Sequence, residues 1–185
     1  MPLIISMRPK FARLIFSGEK KFELRRKFAR VPSGTRAIIY ASENVRAFVG
    51  EFKVGRIFRL RIDDLWEFVG PYAKVSFKEF LRYFKRCTKG VAIEIRDPFE
   101  YPKAIPLDAV RLEIRDNMWA PPVDYEVLPD NHPIIVAIDN YLSVIMQDKS
   151  SEGRNNRRLV ARPHRQLVGE RGGGRGKRRD PARTR

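Results

Sequence analysis

The residues best suited to chemistry lie in one nine-residue stretch, residues 18–26, which reads Gly-Glu-Lys-Lys-Phe-Glu-Leu-Arg-Arg. If this stretch is a β-strand, the alternation of side chains places Lys21, Glu23 and Arg25 on one face. The opposite face then carries Lys20, Phe22, Leu24 and Arg26. A carboxylate between two cations can bind a phosphate group, the polar edge of a base or a reacting carbonyl group. We therefore interpret this stretch as the centre of a binding or catalytic site.

A short strand and a helix precede the stretch and must position it. Residues 3–5 are continuously apolar and predict a buried strand, and Pro9 suits the first turn of a helix. Phe11, Leu14 and Ile15 are spaced to form the apolar face of that helix. Gly18 is a candidate for its C-cap. The charged residues are thus expected to form a strand directly after the helix.

Further strands follow, and one of them is long. Residues 48–62 alternate in the way typical of a strand, with Phe48, Phe52 and Val54 on one face and Glu51 and Lys53 on the other. The strand can break at Gly55. The other predicted strands cover residues 37–41, 90–95 and 101–110, and residues 111–114 continue the last of them.

One further helix has a clear start signal. Ser76 and Glu79 have the spacing of a capping box, which predicts a helix that runs to about residue 86. Between the long strand and this helix, Leu65, Trp66 and Phe68 predict only a short apolar turn. Packing within the domain is the expected role of Trp66 and Phe68.

The positive charge is distributed unevenly along the chain, whose net charge is +16. Residues 1–61 hold 15 Lys and Arg against 4 Asp and Glu, whereas residues 62–149 hold 11 against 15. Residues 150–185 hold 12 against 3. A basic surface on a small protein favours a polyanionic partner, most often a nucleic acid.

The composition argues against several other classes of protein. No apolar run reaches the roughly 18 residues that a membrane span needs, so no membrane partner is predicted. Cys87 is the single cysteine, and His132 and His164 are the only histidines. These residues predict no disulfide, no metal site and no cofactor, and they favour a cytoplasmic protein.

The charged stretch resembles a known family signature. Gly18-x-Lys20-x-x-Glu23-x-Arg25 is similar to the G-x-K-x-x-E-x-R signature of the ASCH domain, a branch of the PUA-like superfamily, and most closely to its archaeal members. Four flanking segments also resemble the family, at residues 6–12, 39–42, 49–52 and 89–93.

The resemblance implies a fold and a cleft. The implied fold is α+β, a small PUA-like mixed β-barrel of five to six strands with two to three helices, followed by a C-terminal helix and a disordered basic tail. It also implies that the cleft between the first helix and the signature strand binds RNA. The predicted nucleic-acid-binding residues are Arg8, Lys10, Lys20, Lys21, Glu23, Arg25, Arg26, Tyr40 and Ser42.

Three functions remain open from the sequence. The favoured one is a non-enzymatic RNA-binding and regulatory protein, in which Tyr40, Phe48 or Trp66 offers a stacking face. The second is a small hydrolase, either an amidohydrolase on modified nucleosides or a ribonuclease, with Lys20 and Glu23 as catalytic residues. The third is a protein-interaction module.

The hydrolase alternative rests on the resemblance and has a weakness. In the amidohydrolase branch the Lys of the motif, here Lys20, acts as nucleophile or base, and a Thr occupies the position of Glu23. The sequence offers only Glu51 and Glu79 as candidates for the later catalytic acid.

Three segments are predicted along the chain. Residues 1–115 form the ASCH-like domain, and residues 116–149 form a Pro-rich loop and a docking helix from Ile134 to Met146. That helix is also the candidate surface for a homodimer. Residues 150–185 form an Arg- and Gly-rich basic tail that is too poor in large apolar residues to fold alone.

Overall fold

The computed structural model of the protein describes residues 1–160, which contain six strands and five helices. The strands are β1 (Leu3–Met7), β2 (Phe22–Arg25), β3 (Arg36–Ala41), β4 (Ala47–Arg61), β5 (Lys89–Pro106) and β6 (Tyr125–Val127). The helices are α1 (Pro9–Phe16), α2 (Ile62–Ala73), α3 (Phe77–Tyr83), α4 (Leu107–Ile114) and α5 (Pro133–Val160).

All six strands belong to one sheet, which curls into a half-barrel. Their order is β2-β5-β4-β3-β1-β6. The pair of β1 and β3 is parallel, and every other neighbouring pair is antiparallel. The predicted α+β fold with five to six strands is therefore confirmed, although the described residues form five helices where at most four were predicted.

The central strands are buried on both faces, which explains their continuous apolar sequence. In β1, Leu3 and Ile5 belong to the core cluster that contains Ile15 of α1. Ile4 belongs instead to a cluster that contains Ile138 of α5. Alternate side chains of one strand thus hold helices against opposite faces of the sheet.

Helix α2 occupies the segment that was predicted to be a short turn, so that prediction was wrong. Gly70 and Pro71 lie in its second half, and their low helix propensity argues against a helix in the sequence. Pro71 is tolerated because it is near the end of the helix, where Lys74 adopts a left-handed conformation. Leu65 and Val69 of α2 are fully buried against the sheet.

Helix α3 begins as the capping box predicts. The Ser76 hydroxyl accepts a hydrogen bond from the Glu79 amide, and the Glu79 carboxylate accepts one from the Ser76 amide. Phe80 and Phe84 are buried beneath the helix. The cap fixes the start of the helix and therefore the positions of the side chains one turn later.

The prediction of strand structure from residue 107 to residue 114 was wrong. Strand β5 ends at Pro106, and α4 begins at Leu107. Leu107 and Val110 are buried and three positions apart, so the helical spacing was present in a segment short enough to fit either structure.

The last described segment contains one element that the sequence did not predict. Strand β6 forms within the predicted loop and pairs with β1. Helix α5 packs against the domain through Ile134, Ile135 and Ile138. It continues to Val160, beyond the predicted end and into the first residues of the predicted tail. The rest of that tail lies outside the described residues, and the homodimer stays a prediction.

No helix among residues 1–160 has the length and apolar character required to cross a membrane.

Candidate functional site

A cavity of about 470 Å³, lined by both charged and apolar side chains, opens between α1, β2 and α3. Six of the nine residues predicted to bind nucleic acid line it, namely Arg8, Lys10, Lys20, Glu23, Arg25 and Arg26. Side chains from β1 and α3 complete the lining, among them Ser6, Glu79, Arg82 and Tyr83. The sheet and the capped helix thus gather residues that are up to 77 positions apart.

Lys20 lies in the turn before β2, so the predicted strand over residues 18–26 was too long. Gly18 has a φ of +74° and ends the preceding helix, after which the Lys20 amide donates to the Leu14 carbonyl at 2.8 Å. Strand β2 begins only at Phe22. Strict alternation therefore does not apply to Lys20, and its side chain reaches the same side as Glu23.

The Lys20 ammonium is buried, with 2% of the residue exposed. Its Nζ lies 2.7 Å from the Ala73 carbonyl oxygen, 3.4 Å from Glu23 Oε2 and 5.1 Å from the centre of the Phe11 ring. Burial lowers the pKa of Lys20 because it disfavours the charged form, and the carboxylate of Glu23 opposes this shift only in part. Lys20 can therefore lose its proton more readily than an exposed lysine.

Arg25 is held by three other parts of the chain. Its Nη2 lies 3.0 Å from Glu23 Oε1 and donates to the Ser6 carbonyl at 2.8 Å. Its Nη1 pairs with the carboxylate of Asp124. The buried Nε has no hydrogen-bond partner among the described residues. The Arg25 guanidinium is therefore fixed in place, and one of its buried donors is unsatisfied.

The mouth of the cavity carries exposed charges. Arg8 Nε lies 3.1 Å from Glu43 Oε1, and Lys10 Nζ lies 3.1 Å from Glu79 Oε1. Hydrogen bonds from the Ser76 cap and from Lys10 lower the pKa of Glu79 to about 2. Glu79 is therefore a fixed anion at neutral pH and a poor candidate for the catalytic acid.

Three predicted site residues lie outside the cavity lining. Lys21 is exposed and precedes β2. Tyr40 is buried, with its ring 5.4 Å from that of Phe48. The Ser42 hydroxyl donates to the Met7 carbonyl at 3.1 Å.

The other residues considered for stacking or acid catalysis also have partners elsewhere. Phe48 is fully buried, and the Trp66 ring packs against Phe77 and Phe80. Glu51 accepts hydrogen bonds from Arg36 and Tyr101, away from the residues that line the cavity.

The family model of the ASCH domain matches residues 5–99. The chain belongs to the ASCH domain family. The matched residues include the end of β1 and all of α1, β2 and α3, from which most of the cavity is built.

Two relatives of this ASCH protein come from Zymomonas mobilis. A protein named ASCH domain-containing ribonuclease, from Zymomonas mobilis subsp. mobilis, is 32% identical over 118 residues, which cover 64% of this chain and 78% of the relative. The crystal structure of ASCH from Zymomonas mobilis is similar with a TM-score of 0.68 and 29% identity, over 75% of this chain and 94% of that one.

The ASCH signature did not reveal three residues that contribute to the site. Ser6 and Tyr83 line the cavity, and Asp124 anchors Arg25. Ser6 lies in a segment that resembles the family, but no charge distinguishes it. Asp124 lies beyond the matched residues, and its contact with Arg25 spans 99 positions of sequence, which no local pattern reports.

Among residues 1–160 of this ASCH protein, no group of three or more His, Cys, Asp or Glu side chains has the proximity that a metal ion needs.

Proposed function

We propose that this ASCH protein binds RNA in the cavity between α1, β2 and α3. The observation that carries the proposal is the arrangement of a buried Lys20, Glu23 and Arg25 beneath a cationic mouth. Cationic side chains neutralise phosphates, and a carboxylate can accept hydrogen bonds from the amino group of a base. The 32% identical relative is named a ribonuclease, which supports RNA as the partner.

The strongest phosphate ligands are expected on one side of the mouth. Arg8 and Lys10 are each paired with a carboxylate, which reduces their attraction for an anion. Arg26 and Arg82 are exposed and form no such pair among the described residues. We therefore assign the largest electrostatic contribution to Arg26 and Arg82.

The test measures how RNA affinity depends on salt. We expect the full chain to bind a fluorescent single-stranded RNA, with affinity falling steeply as salt rises. The double variant Arg26→Ala, Arg82→Ala should reduce the slope of log K against log salt by about 0.7 per lost phosphate contact.

A matched control uses two exposed cations of β4 and β5 that lie outside the cavity lining and form no ion pair among the described residues, in the double variant Arg61→Ala, Lys103→Ala. All variants keep the same basic C-terminal residues. Differences in salt dependence among them therefore arise from the substituted positions. RNA binding that is absent at low salt, or an equal loss of slope in the control, would contradict the proposal.

A second candidate function is cleavage of the bound RNA. Two observations favour it: the lowered pKa of the buried Lys20 and the name of the relative, a ribonuclease. A lysine in its neutral form can act as a general base, and the guanidinium of Arg25, which lines the cavity, can stabilise a phosphate oxygen. The cavity holds both groups beside Glu23.

The chemistry of such a cleavage needs only the RNA and these side chains. Neutral Lys20 accepts the proton of a ribose 2′-hydroxyl, and O2′ forms a bond to the adjacent phosphorus. The bond from phosphorus to O5′ breaks, and the leaving oxygen takes a proton from solvent. The products are a 2′,3′-cyclic phosphate and a 5′-hydroxyl. Glu23 orients Lys20 from 3.4 Å.

The test compares two substitutions of Lys20 in a single-turnover assay with end-labelled RNA. Lys20→Ala should slow cleavage by about 10²–10⁴-fold, because a general base is lost. Lys20→Arg should be as slow, because a guanidinium stays protonated. The rate for the unaltered protein should rise with pH toward the pKa of Lys20.

Two controls separate cleavage from binding. Both variants should still retain RNA in the binding assay, and an RNA with a 2′-deoxy sugar at the cleaved position should resist the unaltered protein. Cleavage that persists in Lys20→Arg at the original rate would remove Lys20 from the mechanism and leave the binding proposal standing.

A further inference from the structure

Tyr83 is an aromatic side chain that is exposed at the mouth of the cavity. It is 38% exposed and follows directly on Arg82 at the end of α3. Arg26 donates to the Tyr83 carbonyl at 2.7 Å, and its guanidinium lies 5.0 Å from the centre of the Tyr83 ring. We call Arg26, Arg82 and Tyr83 the Tyr83 ledge.

The ledge differs from the other side of the mouth in its charge balance. Arg8 and Lys10 are paired with Glu43 and Glu79. Within the described part of the chain, neither arginine of the ledge has a carboxylate partner, and both are exposed. Two uncompensated guanidinium groups beside an exposed ring are the combination that single-stranded nucleic acids use, because phosphates meet the cations and a base stacks on the ring.

Two neighbours hold the Tyr83 ring in place at this mouth. Arg26 lies over it from the end of β2, the Phe84 ring packs edge-on against it at 4.9 Å, and 38% of Tyr83 stays exposed. The capping box fixes the start of the helix that ends at Tyr83. A ring that is already positioned loses little conformational entropy when a base stacks on it.

We propose that the Tyr83 ledge binds the unpaired strand of RNA that extends from the cavity, with one base stacked on Tyr83 and a neighbouring phosphate on Arg82. This proposal rests on the proposed RNA-binding function and defines its ligand as single-stranded RNA. In the interior of a duplex the faces of the bases are covered by stacking on their neighbours, so a duplex offers the ring only its two end pairs.

The experiment measures the affinity of the full chain for an eight-nucleotide single-stranded RNA and for a blunt duplex that contains it, by fluorescence anisotropy at fixed salt. The single strand should bind more tightly. Tyr83→Ala should weaken single-strand binding by roughly 5- to 150-fold, the range for one lost base stack. Tyr83→Phe should bind within about twofold of the unaltered protein, because the ring is retained.

The matched control is Tyr72→Ala, which removes an exposed tyrosine of α2 that does not line the cavity. It should leave single-strand affinity unchanged, and thermal melting should show that every variant is folded.

The outcomes separate the two proposals. If the unaltered protein binds RNA but Tyr83→Ala binds it equally well, the proposed role of the Tyr83 ledge is wrong and the proposal of RNA binding in the cavity stands. The same conclusion holds if Tyr83→Phe binds RNA as weakly as Tyr83→Ala. Equal affinity for the single strand and the duplex would also contradict the proposal that the Tyr83 ledge binds single-stranded RNA. If the unaltered protein binds neither RNA, both proposals fail together.

Discussion

Two regions of this protein place an arginine between two carboxylates, and they differ in what else they contain. In the cavity, Arg25 pairs with Glu23 and Asp124. Between the sheet and α5, Arg36 Nη2 lies 2.7 Å from Glu51 Oε2, and its Nη1 lies 2.7 Å from Asp139 Oδ1. In each case one carboxylate comes from the sheet and the other from the segment that follows α4.

The cluster around Arg36 has its hydrogen bonds completed by the protein itself. Tyr101, 4% exposed, donates to Glu51 at 2.7 Å, and burial together with that carboxylate raises the pKa of Tyr101. The cluster around Arg25 instead contains a buried Lys20 with a lowered pKa and an unpartnered Nε. The same residue types therefore join two parts of the fold in one region, whereas in the other they line a cavity.

The largest expected effect separates the two arginines by stability. Arg25→Met should lower the free energy of unfolding by about 3–5 kcal/mol, because it removes the contacts of Arg25 with Glu23, Asp124 and the Ser6 carbonyl and leaves the buried Glu23 with Lys20 as its remaining charged partner. Arg36→Met should cost about 1–3 kcal/mol, since its side chain is 28% exposed and water can reach the released carboxylates. Urea denaturation of both variants measures the two costs.

The same pair should also differ in RNA binding. Arg25→Met should bind RNA more weakly under conditions where it is folded, and Arg36→Met should bind it like the unaltered protein. An Arg36 variant that loses affinity as strongly as the Arg25 variant would remove the distinction between the two clusters.

A smaller effect is expected from Tyr101→Phe. The substitution removes the hydroxyl that donates to Glu51 but leaves Glu51 paired with Arg36. The free energy of unfolding should fall by about 1 kcal/mol. Urea denaturation measures it, and RNA affinity should not change; a change in affinity would show that this cluster communicates with the cavity.

The smallest effect concerns the acid dependence of the mouth. The pKa of Glu79 is lowered from 4.5 to about 2, so its ionised form stabilises the fold fully above pH 4.5. This contribution is lost as pH falls from 4.5 toward 2. The melting temperature of Glu79→Gln should therefore lie below that of the unaltered protein at neutral pH, and the gap should narrow below pH 4.5. A gap that stays constant through this range would contradict the role of the carboxylate.

Local signals explain which parts of the fold could be predicted. The capping box of Ser76 and Glu79 gave the start of α3, and Pro133 gave the start of α5. Helix α2 was missed because Gly70 and Pro71 hide its pattern. Strand β6, with three residues, is too short for alternation to identify.

The site was predictable in its residues more than in its geometry. The signature located Lys20, Glu23 and Arg25, which the structure brings together. The side on which Lys20 lies depends on where β2 begins, and the sequence did not fix that boundary. Tyr40 was predicted to offer an accessible ring, but its side chain packs in the core. Its burial depends on which face of β3 packs against α5, and no local pattern shows this.

The pairing of Arg25 with Asp124 has a consequence for the order of events during synthesis. The two residues are 99 positions apart, and the Ser6 hydroxyl meets the Pro122 carbonyl across 116 positions. At typical elongation rates the ribosome needs roughly 5–20 s to add the residues between Arg25 and Asp124. During that interval a nascent chain holds Lys20, Glu23 and Arg25 without the contact that fixes the guanidinium. The contacts of the cavity are therefore complete only after the signature residues have left the ribosome. A chain that stalls before residue 124 contains the motif but lacks the contact between Arg25 and Asp124.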